Sequence, residues 1–162
     1  MRAHSKSKQL VGLLGWLGIS YLAAAIGAIA SINAADFYER LAQPAWAPPA
    51  AVFGPVWMTL YGLMGIAAWL VWQERRRSRA LRLFLIQLAL NALWSWLYFV
   101  WHLGAMSFIG VLVLWGLILW TLIAFWRRRA LAGVLLVPYL LWVSLASALT
   151  LATWQLNPQV LG

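Results

Sequence analysis

Gln87, Asn91, Trp94 and Tyr98 recur at i, i+4, i+7 and i+11 in a stretch that is otherwise mostly aliphatic. Trp57, Tyr61 and Met64 repeat the pattern at i, i+4 and i+7, and Tyr139, Trp142 and Ala146 form a third set. On helices, side chains three and four apart share a face. The chemistry open to such stripes is recognition. Flat, polarisable rings with one or two neutral amides suit a mostly apolar pocket with few orienting polar groups. The amides of Gln87 and Asn91 can also bond helix to helix, worth about 0.6 kcal/mol per contact in a membrane bundle, and the two roles are compatible.

Indoles dominate the aromatic content, with 13 Trp in 162 residues. Trp69, Trp72, Trp101, Trp126 and Trp154 fall at expected helix ends, where an interfacial belt accounts for them. Trp57, Trp94, Trp96, Trp115, Trp120 and Trp142 lie deeper. An indole N–H in hydrocarbon wants a partner, so cavity walls would justify several of them.

Acid–base and metal chemistry lack their residues. No Asp, Glu, Lys, Arg or His lies in the middle of an apolar segment. Intramembrane ionisable groups mark proton relays and coupled transport, so their absence argues against a proton-driven exporter. It also removes the usual general acids, bases and metal ligands. His4 is in the leader and His102 at a helix end, where a lone histidine reads as a solvated cap. Cysteine is absent, which removes thiolate nucleophiles and disulfides. No metal or cofactor is expected.

Five apolar segments must position the stripes. The chain is 65% hydrophobic and 9% charged, far from the soluble average. A bilayer core of about 30 Å takes roughly 20 helical residues. Residues 10–30, 52–72, 83–101, 107–126 and 130–154 each fit. In lipid every backbone group must be bonded within its segment, so each reads as a helix. The fold class expected is all-α: a polytopic membrane protein with a bundle of five transmembrane helices. It has a basic leader at 1–9, a single domain over 10–154 and a tail at 155–162. The first segment has a rival reading as a cleavable signal peptide ending at Ala28-Ile29-Ala30, but its apolar run is long for that.

Charge sets the orientation. Arg2, Lys6 and Lys8 precede the first segment, Arg75, Arg76, Arg77, Arg79 and Arg82 separate the second and third, and Arg127, Arg128 and Arg129 separate the fourth and fifth. Threaded through a bilayer, those clusters share one face, while the other receives Arg40 alone. The positive-inside rule puts the N-terminus in the cytoplasm and the C-terminus outside. A net charge of +9 would suggest nucleic acid on a soluble surface. Here the cations flank apolar stretches, so anionic lipid is the partner and nucleic acid is not.

The longest connection, 31–51, lies on the outer face and carries Pro44, Pro48 and Pro49. Prolines stiffen it and keep it only partly helical, and it is long enough to fold over the helix ends. Pro138 sits well inside the fifth segment. It should bend that helix and open space between helices, although membrane helices also carry prolines without a role. Gly12, Gly15, Gly18, Ala23, Ala24, Gly27 and Ala28 make the first segment a small-residue face. Packing within the bundle is its first expected use and a homodimer its second.

The run Pro44-Ala45-Trp46-Ala47-Pro48-Pro49 is followed by Pro55-Val56-Trp57-Met58-Thr59-Leu60-Tyr61. Later come Gln87-Leu88-Ala89-Leu90-Asn91-Ala92-Leu93-Trp94 and Val137-Pro138-Tyr139-Leu140-Leu141-Trp142. In that order, from about Asp36 to Asn157, they closely resemble the TspO/MBR family of translocator proteins, also called peripheral-type benzodiazepine receptors. The resemblance implies a five-helix bundle binding flat hydrophobic molecules: porphyrins such as protoporphyrin IX, sterols, and isoquinoline carboxamide or benzodiazepine drugs. By motif, Trp46 and Pro48 belong to the lid. Trp57 and Tyr61 wall the pocket from the second helix, Gln87, Asn91 and Trp94 from the third, and Tyr139 and Trp142 from the fifth. Some bacterial members are reported to degrade porphyrin in light, for which Trp57 and Trp142 would be the reactive candidates here.

The chain departs from the family pattern in three places. Ala50, Ala51 and Val52 follow the paired prolines where members often carry a polar or basic residue and an aromatic. The segment Leu149-Thr150-Leu151-Ala152-Thr153-Trp154-Gln155 lacks the aromatic and basic pair of the sterol-recognition pattern. The small-residue spacing that pairs some members through the third helix is replaced around Arg82 and Ile86. The leading reading is a membrane binding protein for porphyrins and related flat hydrophobes, serving tetrapyrrole transport, sequestration or stress sensing. The alternatives are a light-dependent porphyrin-degrading enzyme and a small drug exporter or structural membrane protein. The charge asymmetry favours a bacterial cytoplasmic membrane, although some relatives sit in outer membranes.

Overall fold

A computed structural model describes residues 5–74 and 76–162. Arg2, His4 and Arg75 lie outside the described residues. Five helices are long and apolar enough to cross a membrane. They are α1 (Lys6–Ala30), α3 (Phe53–Glu74), α4 (Arg79–Ser95), α5 (Gly104–Arg128) and α6 (Ala130–Leu156), with short helices α2 (Ala34–Arg40) and α7 (Pro158–Leu161) at one end. A 3-10 turn (Ala50–Val52) leads into α3, and a π-helical turn (Trp96–Val100) extends α4. The protein is an integral, multi-pass membrane protein built as a five-helix bundle.

Helix boundaries follow local chemistry. Ser5 and Ser78 cap α1 and α4 with their hydroxyls, accepting from Lys8 N and Leu81 N at 3.4 and 3.3 Å. These caps start both helices four residues before the apolar segments do. The π turn ends with Trp101 N donating to Trp96 O and with His102 at φ 52°, a left-handed residue that closes the helix.

The helices close into a ring. α1 packs on α3 and α4, α4 on α5, α5 on α6, and α6 on α3. The inside is filled by Met64, Ala67, Phe84, Ile118, Phe125 and Leu136, none more than 1% exposed. α1 is held to α3 by three side chains that reach for backbone carbonyls. Ser20 Oγ donates to Tyr61 O at 2.6 Å, Tyr21 OH to Met58 O at 2.9 Å, and Trp69 Nε1 to Gln9 O at 2.9 Å. In the absence of water, such bonds satisfy the donors and tie the helices together.

The close approach in this pair comes from α3 more than from the glycines of α1. A Cβ on Gly65 would lie 3.0 Å from Leu17 Cα, whereas Gly15 and Gly18 face open space. Only part of the small-residue face on α1 therefore packs within the bundle. Gly12 does, because its missing side chain leaves room for the Trp72 ring.

The described basic clusters gather at one end. Gln9 meets Trp69 there, and Arg129 Nη1 donates to Gln73 Oε1 at 3.2 Å across the α3 and α6 termini. The opposite end carries the 31–51 connection, which contains α2 and is otherwise turn and extended chain.

Candidate ligand-binding site

Three of the five long helices, α3, α4 and α6, contribute to one chain of neutral polar groups. Tyr61 of α3 donates to Asn91 Oδ1 at 3.3 Å, and Asn91 Nδ2 of α4 donates to the Tyr139 hydroxyl of α6 at 2.6 Å. Tyr139 in turn donates to Gln87 Oε1, one turn before Asn91, at 2.7 Å. Tyr61, Gln87, Asn91 and Tyr139 are all buried. The direction of donation is continuous, so each hydroxyl spends its proton once, and the chain ends on Gln87 Oε1, while the Nε2 of the same amide is a buried donor without a partner among the described residues. Bonds of this kind are strengthened by a low local dielectric, which also makes the unspent donor costly.

An aromatic tier borders that chain. The Trp57 ring is 5.6 Å from Tyr61 and 6.2 Å from Tyr139 between centroids. Phe53, one turn before Trp57, meets Trp142 edge-on at 5.7 Å and Tyr38 of α2 at 5.0 Å. Offset and edge-on aromatic pairs of this kind add about 0.5–1.5 kcal/mol each beyond their buried area. Tyr38 and Phe53 were not among the residues singled out from sequence. Phe53 had a signal, since it precedes Trp57 by four residues and so shares its face. Tyr38 had none, because no helical period connects α2 to α3.

Trp46 and Pro48 lie in the connection over this end. Trp46 is 51% exposed. The Pro48 carbonyl accepts from Tyr38 OH at 2.8 Å, and Gln43 Nε2 donates to Tyr38 O at 2.6 Å. Burial raises the Tyr38 phenol above its ordinary pKa. Asn157 fastens the connection to the end of α6. Its side chain accepts from Ala42 N and donates to Ala42 O and to Thr153 O, each at 2.9 Å.

The four-residue stripe of α4 divides. Gln87 and Asn91 face Tyr139, whereas Trp94 stacks on Tyr98 at 5.2 Å and gives its N–H to Ser107 O of α5 at 3.0 Å. Tyr98 shares a 2.8 Å hydrogen bond with Thr153 of α6. Trp94 thus joins α4 to α5, next to the amide chain rather than within it. The deeper indoles also divide. Trp115 gives its N–H to Ser144 Oγ at 2.8 Å, while Trp120 is 61% exposed and points outward.

Beside Pro138, an open cleft of about 550 Å3 between α3 and α6 is lined by Pro55, Thr59, Pro138, Leu141, Trp142 and Leu145 among others. Trp142 belongs to both the cleft and the aromatic tier.

A ring of five apolar helices around an uncharged centre of phenols, amides and indoles defines a class: polytopic membrane proteins with a neutral, aromatic interior. Residues 16–155 match the TspO/MBR family, and the chain belongs to that family. It is 36% identical to the tryptophan-rich protein TspO of Chlorobaculum tepidum over 157 residues, covering 94% of this chain and 99% of that one. Protein CrtK of Rhodobacter capsulatus is 36% identical over 140 residues, 84% of this chain and 86% of its own length. The human translocator protein is 35% identical over 126 residues, 75% of each chain.

Proposed function

We propose that the protein binds protoporphyrin IX and related flat hydrophobic molecules within the bilayer, in the service of tetrapyrrole transport, sequestration or stress sensing. The observation that carries this reading is the convergence of Tyr61, Asn91, Gln87 and Tyr139 beneath the rings of Trp57, Phe53 and Trp142. Planar guests gain from ring contact and from apolar burial at about 25 cal/mol per Å2, much of it offset by the entropy of binding. A neutral amide chain offers a few hydrogen bonds that can orient the ring of such a guest. The cleft beside Pro138 offers a lateral way in from the lipid, with Trp142 in its lining. Trp46 and Pro48 serve as lid, and Trp94 supports Asn91 from the neighbouring turn.

The basic end is assigned to the cytoplasm by the positive-inside rule, which leaves α2 and the lid outside. The sorting of cations favours a bacterial cytoplasmic membrane.

Titration of the purified protein with protoporphyrin IX should quench tryptophan emission with micromolar affinity, and Asn91→Ala should weaken it. Emission that is unchanged after correction for free dye would overturn the reading.

A further inference from the structure

At the basic end, far from the aromatic centre, a cavity of about 830 Å3 lies among α1, the turn into α4, the first two turns of α4 and the last turn of α5. That is within the range of sites that hold small molecules. Its lining is mostly of two kinds: arginines, among them Arg79, Arg82 and Arg128, and the apolar residues Trp16, Leu81 and Leu85.

Helix geometry sets two of the apolar groups, Leu85 and Trp16, deeper than the arginines, while Leu81 lies level with them. At 1.5 Å per residue, Leu85 lies about 9 Å beyond Arg79 along α4, and Trp16 about 15 Å beyond Lys6 along α1. The arginines therefore stand at the end of the bundle, with Leu85 and Trp16 further into its span. Ser78 fixes the first turn of α4 by capping Leu81 N, and Arg79 and Arg82, three apart, share a face. Trp16 is held in place edge-on against Phe84 at 5.9 Å.

Positive charge here exceeds what the protein supplies in return. Of the three acidic residues in the chain, Asp36 and Glu39 lie on α2 at the far end, which leaves Glu74. Arg76 and Arg77 add to the same cavity, with Arg76 also over the Trp72 ring at 5.4 Å.

We propose that this cavity seats the headgroup of an anionic phospholipid from the adjoining leaflet. Guanidinium groups hold the phosphodiester oxygens through paired N–H donors. Leu85 and Trp16 receive the start of the acyl chains. A soluble phosphate compound would use the arginines but leave the deeper apolar lining without a purpose, which is why a lipid is the occupant. The site is separate from the aromatic centre and does not depend on what binds there.

The test is native mass spectrometry of the full-length protein released from micelles containing equal phosphatidylglycerol and phosphatidylcholine. A phosphatidylglycerol adduct should persist. Arg79→Gln, Arg82→Gln and Arg128→Gln, all at exposed positions, should each weaken it about fivefold, the equivalent of about 1 kcal/mol per cation near a membrane surface. Lys6→Gln/Lys8→Gln, outside the cavity, should leave it unchanged. Equal loss in that leader variant, equal retention of phosphatidylcholine, or displacement of the lipid by millimolar pyrophosphate would each overturn the proposal. A second measurement does not depend on the arginine variants folding. Phosphatidylglycerol brominated near the headgroup should quench wild-type emission more than that of Trp16→Phe, and equal quenching would also overturn it.

Discussion

Tyr139→Phe removes one oxygen from the centre of the bundle and nothing else. That oxygen accepts from Asn91 Nδ2 at 2.6 Å and donates to Gln87 Oε1 at 2.7 Å, on a side chain 1% exposed. Interhelical polar contacts in membrane proteins average about 0.6 kcal/mol and reach about 1.7. Two short ones give an expected loss of about 1 kcal/mol and a ceiling of about 3 kcal/mol. The high end is favoured because the variant strands a buried donor on Asn91 and a buried acceptor on Gln87, and unmade bonds cost more than made ones gain. Gln87 already carries an unpaired Nε2, so Gln87→Leu removes a buried liability along with one bond. It should cost less than Tyr139→Phe, and the double variant should cost less than the sum of the two, by about 0.5 kcal/mol or more. Reversible unfolding of the four proteins in mixed micelles with rising dodecyl sulfate, followed by circular dichroism, measures all four free energies. A Tyr139→Phe variant within 0.3 kcal/mol of wild type (about half of one average contact), or a strictly additive cycle, would refute the reasoning.

Asn157→Ala removes three hydrogen bonds that clasp Ala42 and Thr153, each worth about 0.5–1.5 kcal/mol. Amide exchange across residues 34–52 should quicken by tenfold or more while α3 to α6 stay protected; unchanged exchange would show that the clasp is idle. Gly65→Ala forces a Cβ to within 3.0 Å of Leu17 Cα, and should cost about 1–3 kcal/mol as overpacking; a neutral result would mean that α1 shifts freely on α3. Illumination of the protoporphyrin IX complex should give no protein-dependent product. A product that disappears in Trp57→Phe or Trp142→Phe while binding persists would establish light-driven degradation in place of passive binding.

Much of the centre was legible because its residues obey one local rule. Gln87 and Asn91 are one turn apart on α4, as are Phe53, Trp57 and Tyr61 on α3, and a helical period shows that each set shares a face. The period says nothing of where a face ends. Trp94 and Tyr98 continue the stripe of Gln87 and Asn91, yet they turn to Ser107 and Thr153, because α5 lies on one side of α4 and α6 contributes from another. Gly15 and Gly18 look like packing glycines and face open space, while Gly65, in a less conspicuous setting, makes the contact. Spacing identifies a smooth face but not the partner that comes to it.

The sequence alone determined that there are five spans and that the protein carries no charge at its core, because hydrocarbon admits only internally bonded helices and neutral side chains. It also determined that the cations gather at one end, since successive connections alternate between two faces and the basic ones are every second one. Only the tertiary structure decided that Asn91 and Gln87 share Tyr139 across 52 or fewer residues of chain, that Asn157 reaches back 115 residues to Ala42, and that five arginines and Trp16 surround one cavity. Those meetings depend on which helices neighbour one another around the ring, and that order is set by the summed packing of every face at once rather than by any local pattern.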